Sequence, residues 1–429
     1  MNRNNDKSFL KFIIVWIGQL VSSIGGGLTA FTLGVYAYEK TQTATSFALV
    51  TLFSFLPSIL LRPIGGVLAD RFDRRVMMII GDIGSATGVA FIWFLLKYQG
   101  NIELWQIYLG VSISSIFLAL QSPAYKASIT DLLTEEQFAK ASGLVQLASS
   151  AQYLVSPIVA GFLLSMTSIE NILILDILTF IFAALAVVAI KKEASKSHSD
   201  SPHLSLFKDL KEGWEVIVCN QGVLTLILII SLVTFYIGFL QTLLGPMILS
   251  FSTPQTLGTI LSTSALGMIG TSLYIGIRKV STDYVRMLSY GLIGAGVFFA
   301  LMGLSTNVYV ITLNGFLFFC ALPFINTSTD VLIRKSIPNE KQGRVWGIIG
   351  VLSQIGFIVA YGVAGYLADR IFNPLLVEGG ILTSTIGQII GVGNGRGIGL
   401  LFIFSGLLVV LIGFSSLSLK NKFEVTKSR

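Results

Sequence analysis

Twelve long apolar runs decide what this chain can become. They fall near 10–37, 45–68, 76–96, 104–124, 142–165, 170–190, 222–250, 256–277, 287–305, 307–330, 344–368 and 397–419. A helix needs roughly 20 apolar residues to cross the hydrocarbon core of a bilayer. The runs lack the strict polar–apolar alternation of a membrane β-barrel, and helices satisfy their own backbone polar groups in lipid. Charged residues are 12% of the 429-residue chain, against roughly 25% in soluble domains. The expected class is an all-α polytopic membrane protein with twelve transmembrane helices. A soluble enzyme, a nucleic-acid binder and a secreted disulfide scaffold are set aside.

The net charge of +7 is unevenly spread. One set of connections holds Arg71, Arg74, Arg75, Lys126, Lys140, Lys191, Lys192, Lys196, Lys208, Lys211, Arg278, Lys279, Arg286, Arg334, Lys335, Lys341 and Arg344; the opposite set holds Lys40, Lys97, Arg370 and Arg396. The positive-inside rule then predicts that both termini are cytoplasmic. The basic balance is a topology signal and implies no nucleic-acid partner. The first apolar run is too long for a signal-peptide core and reads as a retained span.

The longest polar interruption, 191–221, contains His198, His203 and an amphipathic stretch around Leu206–Val218. It predicts a cytoplasmic linker between a six-helix half over 1–190 and another over 222–429. A shift of 204 residues overlays Ile129–Leu144 on Ile333–Ile348, and Val159-Ala160-Gly161-Phe162-Leu163 on Val363-Ala364-Gly365-Tyr366-Leu367. Six crossings separate the matched segments, so the pseudo-repeat is parallel, as in two-half transporters with a central site.

Between spans 2 and 3 stands Gly65-Gly66-Val67-Leu68-Ala69-Asp70-Arg71-Phe72-Asp73-Arg74-Arg75. Glycines permit close helix approach, and arginines can pair with carboxylates, here those of the other half. Gly66, Asp70, Arg71, Arg74 and Arg75 therefore form a candidate cytoplasmic gate; the plain alternative is a positive-inside anchor. Gly66-x-x-x-Asp70-Arg71-x-x-Arg74-Arg75 closely resembles the loop 2–3 signature of the major facilitator superfamily. The resemblance spans nearly the whole chain and implies the major facilitator fold, with two parallel pseudo-repeated six-helix halves.

Narrower likeness to drug and natural-product exporters, including macrolide-efflux and enterobactin-exporter proteins, rests on Ser122-Pro123-Ala124-Tyr125, Asp131 to Gly143, and Pro338-Asn-Glu340-Lys-Gln-Gly343-Arg344-Val345. Ser156-Pro157-Ile158-Val159-Ala160-Gly161 resembles the span-5 motif that implies antiport, with Ser156 in place of the first glycine. Pro157 and Gly161 are either an antiport-like kink or an ordinary one. Span 4 departs from the drug–proton antiporters, because it has no arginine.

Ionisable residues inside spans are costly and usually functional. Asp82 in span 3 and Asp176 in span 6 are the candidates for proton coupling, the alternative being helix packing. Gln19, Gln146, Tyr153, Gln241, Asn314 and Gln354 are candidate cavity residues, since a few polar groups in an apolar, aromatic cavity suit a bulky lipophilic solute. No histidine lies in a span, and no His-Glu-x-x-His or Gly-x-x-x-x-Gly-Lys-Ser/Thr pattern occurs. The two cysteines, Cys219 and Cys320, suggest neither disulfide nor metal cluster.

The expected function is secondary export of a macrolide, peptide natural product or similar drug by alternating access. Family resemblance implies proton antiport. A siderophore or lysolipid transporter is the alternative cargo reading, and a polytopic enzyme or receptor is disfavoured. No catalytic residue, metal or cofactor is expected. The expected setting is a bacterial plasma membrane, with a small-molecule substrate, protons and lipid as partners and a monomeric protein.

Overall fold

The computed structural model describes residues 3–190, 214–215, 217–218, 221–277, 283–337 and 339–417, without the side chains of 3–7, 70, 135–136, 139, 149, 339–344 and 346–347. Most of the predicted linker and its amphipathic stretch lie outside the described residues. Among those described there is no strand, and twelve helices are long and apolar enough to span a membrane. They are α1 (Arg3–Thr41), α2 (Ala44–Arg71), α3 (Arg74–Gln99), α4 (Leu104–Leu132), α5 (Glu135–Met166) and α6 (Ile169–Val188), then α7 (Gln221–Leu249), α8 (Pro254–Ile277), α9 (Tyr284–Leu304), α10 (Val308–Ser336), α11 (Asn339–Tyr366) and α12 (Arg396–Ser416).

Local chemistry sets several helix starts. The Asp73 side chain accepts from Arg75 N at 2.9 Å and begins α3. Glu103 with Gln106, and Thr134 with Gln137, close capping boxes at α4 and α5. Asn307 caps α10 through Tyr309 N at 2.9 Å. Such caps satisfy backbone N–H groups that a helix leaves orphaned at its first turn.

The chain divides into two units, Met1–His198 with Thr253–Ser262, and Ser199–Ser252 with Thr263–Arg429. In the first, α1 packs on α5 and α6, α3 on α4 and α6, and α2 on α4. In the second, α7 packs on α11, and α9 on α10 and α12. The pairs α1–α5, α3–α4 and α3–α6 thus recur as α7–α11, α9–α10 and α9–α12. The register recurs too. A Cβ on Gly27 of α1 would meet Ser156 of α5, and one on Gly238 of α7 would meet Ala360 of α11. Positions 156 and 360 are the pair that the 204-residue shift superposes.

The interiors differ. The first unit has clusters around Leu33, Ile92, Ile102, Ile107 and Leu173, around Val15, Met77, Met78, Tyr125 and Val187, and around Phe12, Leu133 and Ala141. Within the second unit the Phe299 ring lies tilted against Phe402 (4.7 Å) and Phe318 (5.5 Å) and edge-on to Tyr236 (6.3 Å). Past Tyr366 the chain continues through a π-helical turn at Leu367–Phe372, then short helical turns at Asn373–Leu376 and Ile386–Ile390. Asn373 is held there because the chain meets Gly397 so closely that a Cβ would lie 2.4 Å from Asn373 Cα.

The crossing of α9 on α12 is close. A Cβ on Gly296 would stand 2.6 Å from Gly406 O, and one on Gly399 would stand 2.6 Å from Gly303 O. In both helices the contacting glycines are seven residues apart, two turns on one face. Gly294 differs, since a Cβ there would meet only Phe298, at 3.9 Å. Gly406→Ala should therefore destabilise by about 1–3 kcal/mol, the usual cost of overpacking. Gly294→Ala should be neutral or stabilising by about 0.5–1 kcal/mol. Thermal unfolding of both variants in detergent checks the contrast.

Candidate functional site

The first unit buries two carboxyls where lipid-facing helices would least tolerate them. Asp82 is 2% exposed and Asp176 is fully buried. A carboxyl at a span centre costs about 2.5–3.5 kcal/mol or more unless it finds partners. Both find them on α1. Gln19 Nε2 donates to Asp82 Oδ2 at 3.1 Å. Thr29 Oγ1 donates to Asp176 Oδ2 at 2.5 Å. Gln19 and Thr29 are ten residues apart, about 15 Å along a helix axis, so one helix serves two levels of the unit.

Each carboxyl has a second layer of support. Gln121 of α4 donates through Nε2 to Gln19 Oε1, which directs the Gln19 amide N–H groups towards Asp82. Gly81, beside Asp82, lets α4 approach; a Cβ there would collide with Gln121. Thr179, one turn beyond Asp176, donates to Asp176 Oδ1 at 3.1 Å and to its carbonyl at 2.7 Å. Gly25 on α1 clears space, since a Cβ would fall 2.6 Å from Asp176 Oδ1. A threonine hydroxyl donates or accepts by rotating, so the Asp176 shell accommodates either protonation state.

Asp82 is eight residues beyond Arg74 at the start of α3, about 12 Å along the axis. Asp176 is seven beyond Ile169 at the start of α6, about 10 Å. Successive helices enter from opposite faces, so the carboxyls approach the middle of the unit from two sides. Two residues named separately in the sequence, Gln19 and Asp82, meet directly. Sequence reasoning passed over Gln121 and Thr179. The signal for both was a hydrogen-bonding side chain in an apolar span.

The glycine–arginine turn engages its own unit. Arg74 Nη1 lies 2.7 Å from Asp131 Oδ1 and 2.8 Å from Ala127 O, at the end of α4. Arg75 Nη2 donates to Val187 O and Val188 O at 3.1 and 3.3 Å, where cations suit the end of α6. The sequence suggested carboxylates of the other half; these partners all belong to the first unit. Arg71 is exposed and Gly66 has open space beside it. The Asp70 side chain lies outside the described part.

Pro157 and Gly161 contact the start of α8, which groups with the first unit. A Cβ on Gly161 would stand 2.7 Å from Pro254 O and 3.0 Å from Gln255 Cα. Reciprocally, a Cβ on Gly258 would collide with Pro157 O. The segments share one pattern, Pro157-x-x-x-Gly161 and Pro254-x-x-x-Gly258, and each glycine rests on the backbone at the other's proline.

The remaining candidates are dispersed. Gln146 is exposed, Tyr153 is 49% exposed and Gln354 is half-buried. In the second unit Gln241 accepts from Tyr361 Oη at 2.6 Å. Asn314 is buried and donates to Val310 O of its own helix at 2.8 Å, a packing arrangement. Among the described residues, no cluster of His, Cys, Asp or Glu could hold a metal ion.

Comparison with known proteins decides the family. The Major Facilitator Superfamily model matches residues 15–361. The chain belongs to the major facilitator superfamily. It is 29% identical over 375 residues to macrolide efflux protein A of Streptococcus pyogenes, covering 84% of this chain and 90% of that protein. It is 23% identical over 353 residues to the staphyloferrin A transporter of Staphylococcus aureus, covering 80% and 83%. Among solved structures, a variant of the nucleoside transporter NupG superposes with a TM-score of 0.74 at 12% identity, covering 95% and 99%. The fold is that of two parallel six-helix repeats, and the protein is a multi-pass transporter of the membrane.

The buried pairs should behave as coupled units. Gln19→Leu strands Asp82, at a cost of about 1–3 kcal/mol for an unsatisfied buried polar group. Adding Asp82→Val should recover part of that loss. A double-mutant cycle on thermal stability should read a coupling of about 0.5–3 kcal/mol. Strict additivity would show that the contact contributes nothing.

Proposed function

We propose that this major facilitator protein exports a lipophilic or amphiphilic small molecule, of the macrolide class, in exchange for protons. The observation that carries the reading is the pair of buried carboxyls, Asp82 and Asp176, each joined to α1 by a hydrogen bond. A transporter that couples to protons needs a group that loses and regains one within the membrane, and without spanning histidines a carboxyl must serve. In this scheme each proton binds a carboxyl oxygen as inward-moving protons replace outgoing cargo. Movement of α1 with cargo changes the shells of both carboxyls together.

The cargo class rests on the relatives and on composition. Macrolide efflux protein A is the relative at 29% identity. Gln19, Gln146, Tyr153, Gln241, Asn314 and Gln354 are the proposed polar points of a cavity that is otherwise apolar. The likeness to the staphyloferrin A transporter favours a siderophore as the second cargo reading. Both termini are proposed to be cytoplasmic in the cell membrane, with halves at 1–190 and 222–429 joined by a cytoplasmic linker and the protein working as a monomer without metal or cofactor. Gly66, Asp70, Arg71, Arg74 and Arg75 are assigned to the inner gate. Pro157 and Gly161 are assigned to an opposing contact that opens and closes against Pro254–Gly258.

Purified protein in liposomes should accumulate a radiolabelled macrolide against its gradient only when a pH difference is imposed. Asp82→Asn and Asp176→Asn should abolish that accumulation yet retain cargo exchange at equal concentrations. Accumulation that ignores the pH difference, or survives in both variants, would sink proton antiport. A second test addresses the outer contact. A side chain at Gly161 has no room against Pro254 O and Gln255 Cα, so Gly161→Leu should hold the contact apart. Transport by the folded variant should fall at least about tenfold; undiminished transport would refute a contact that must close.

A further inference from the structure

At the junction of α11 and α12, on the face the proposed topology puts outside, Arg396 is an unusual residue. It opens α12, yet only 3% of it is exposed. Nη2 donates to Gly303 O at 2.9 Å, at the end of α9. Nε and Nη1 are buried without a partner. A guanidinium carries five N–H groups in a planar fork, so this bond leaves four unspent and at least one two-point edge open. Among the described residues no carboxylate pairs with it.

The surroundings add to the imbalance. Asn373, whose backbone lies against Gly397, buries an Oδ1 that has no partner. Gly395, the residue before α12, has φ +81° and no side chain with which to cap the first turn. Gly391 and Gly393 have φ of +94° and +128°, conformations that L side chains rarely adopt. At Gly391 an added Cβ would meet Arg396 alone within 4 Å, with Nε at 3.4 Å. The missing side chain thus leaves room directly beside an unspent donor.

A tether between α9 and α12 explains Nη2 and nothing else. Buried charges persist when paired and hydrogen-bonded, and helix N-termini favour anions. A planar fork selects a planar two-point acceptor over a spherical ion. We propose that this corner, built from Arg396, Asn373 and the Gly391–Gly395 backbone, binds a carboxylate anion from the outer medium. The Asn373 carboxamide, turned over, offers Nδ2 to the same anion. The bound anion braces the end of α9, the π-helical turn after α11 and the start of α12.

The full-length protein in nanodiscs provides the test, with acetate as the probe. Replacing sodium chloride by sodium acetate at constant ionic strength should raise the thermal midpoint saturably, and saturation-transfer NMR should detect bound acetate that formate displaces and chloride does not. Arg396→Lys keeps the charge but loses the fork, and should weaken acetate binding by at least about tenfold, the scale of one lost charge-assisted bond. Should that variant fail to fold, Asn373→Asp serves instead: its internal carboxylate should occupy the corner and abolish the acetate response. A flat wild-type response would mean that water alone fills the corner. An undiminished response in a folded variant would place acetate elsewhere; either result overturns the proposal. Neither depends on whether transport is proton-coupled.

Discussion

The hydrogen bonds that α1 gives to two buried carboxyls are the contacts on which the chemistry of the first unit depends. Lipid offers no partner to a carboxyl, so Asp82 and Asp176 are tolerable only where another helix supplies a donor. Gln19 and Thr29 do so at two depths. The glycines at 25 and 81 are part of the same arrangement, because any side chain there would push away the helix that completes a shell. Packing and polar satisfaction are one constraint here, since loosening either contact exposes a charge to hydrocarbon.

The two units use a common frame for different ends. Three helix pairs recur, and position 156 in the first unit and 360 in the second receive a glycine of the preceding partner helix. The first unit fills this frame with mixed aliphatic and aromatic clusters and carries two buried carboxyls. The second fills it with phenylalanines around Phe299 and seats a buried arginine at one end. Duplicated backbone geometry with unshared polar chemistry is what a two-half transporter requires if coupling and support are divided between repeats.

Hydropathy made the helices legible because span length and composition are local properties. It found twelve spans, and it picked out Asp82 and Asp176 because a carboxyl in an apolar run is conspicuous. It did not find Gln121 or Thr179, since which face of a helix meets a carboxyl depends on neighbours distant in the chain. Asn314 gives one amide N–H to Val310 of its own turn, a local bond that hydropathy does not register either. The segment between the last two apolar runs carries no span-length pattern. Its π-helical turn ends against Gly397, a contact that sequence does not display. Arg396 was counted as one positive charge on the sparse side, and burial gives it another meaning.

Strength of contact separates what should stay together from what should move. Arg74 and Arg75 tie the start of α3 to the ends of α4 and α6 through a carboxylate and carbonyl groups. Those charge-assisted bonds are roughly twice as strong as neutral ones, and they hold that end of the unit as a body, so a gate that includes them would move with it. The contact between Pro157–Gly161 and Pro254–Gly258 is glycine against backbone carbonyl, with no charge involved. Its attraction is the sum of small dispersion terms, which vanish within an ångström or two of separation and return as readily. A contact of that kind breaks without separating charges, whereas parting Arg74 from Asp131 gives up a charge-assisted bond. Under the proposed cycle, rigid salt-bridged ends and an uncharged, reversible contact are therefore complementary parts of one mechanism.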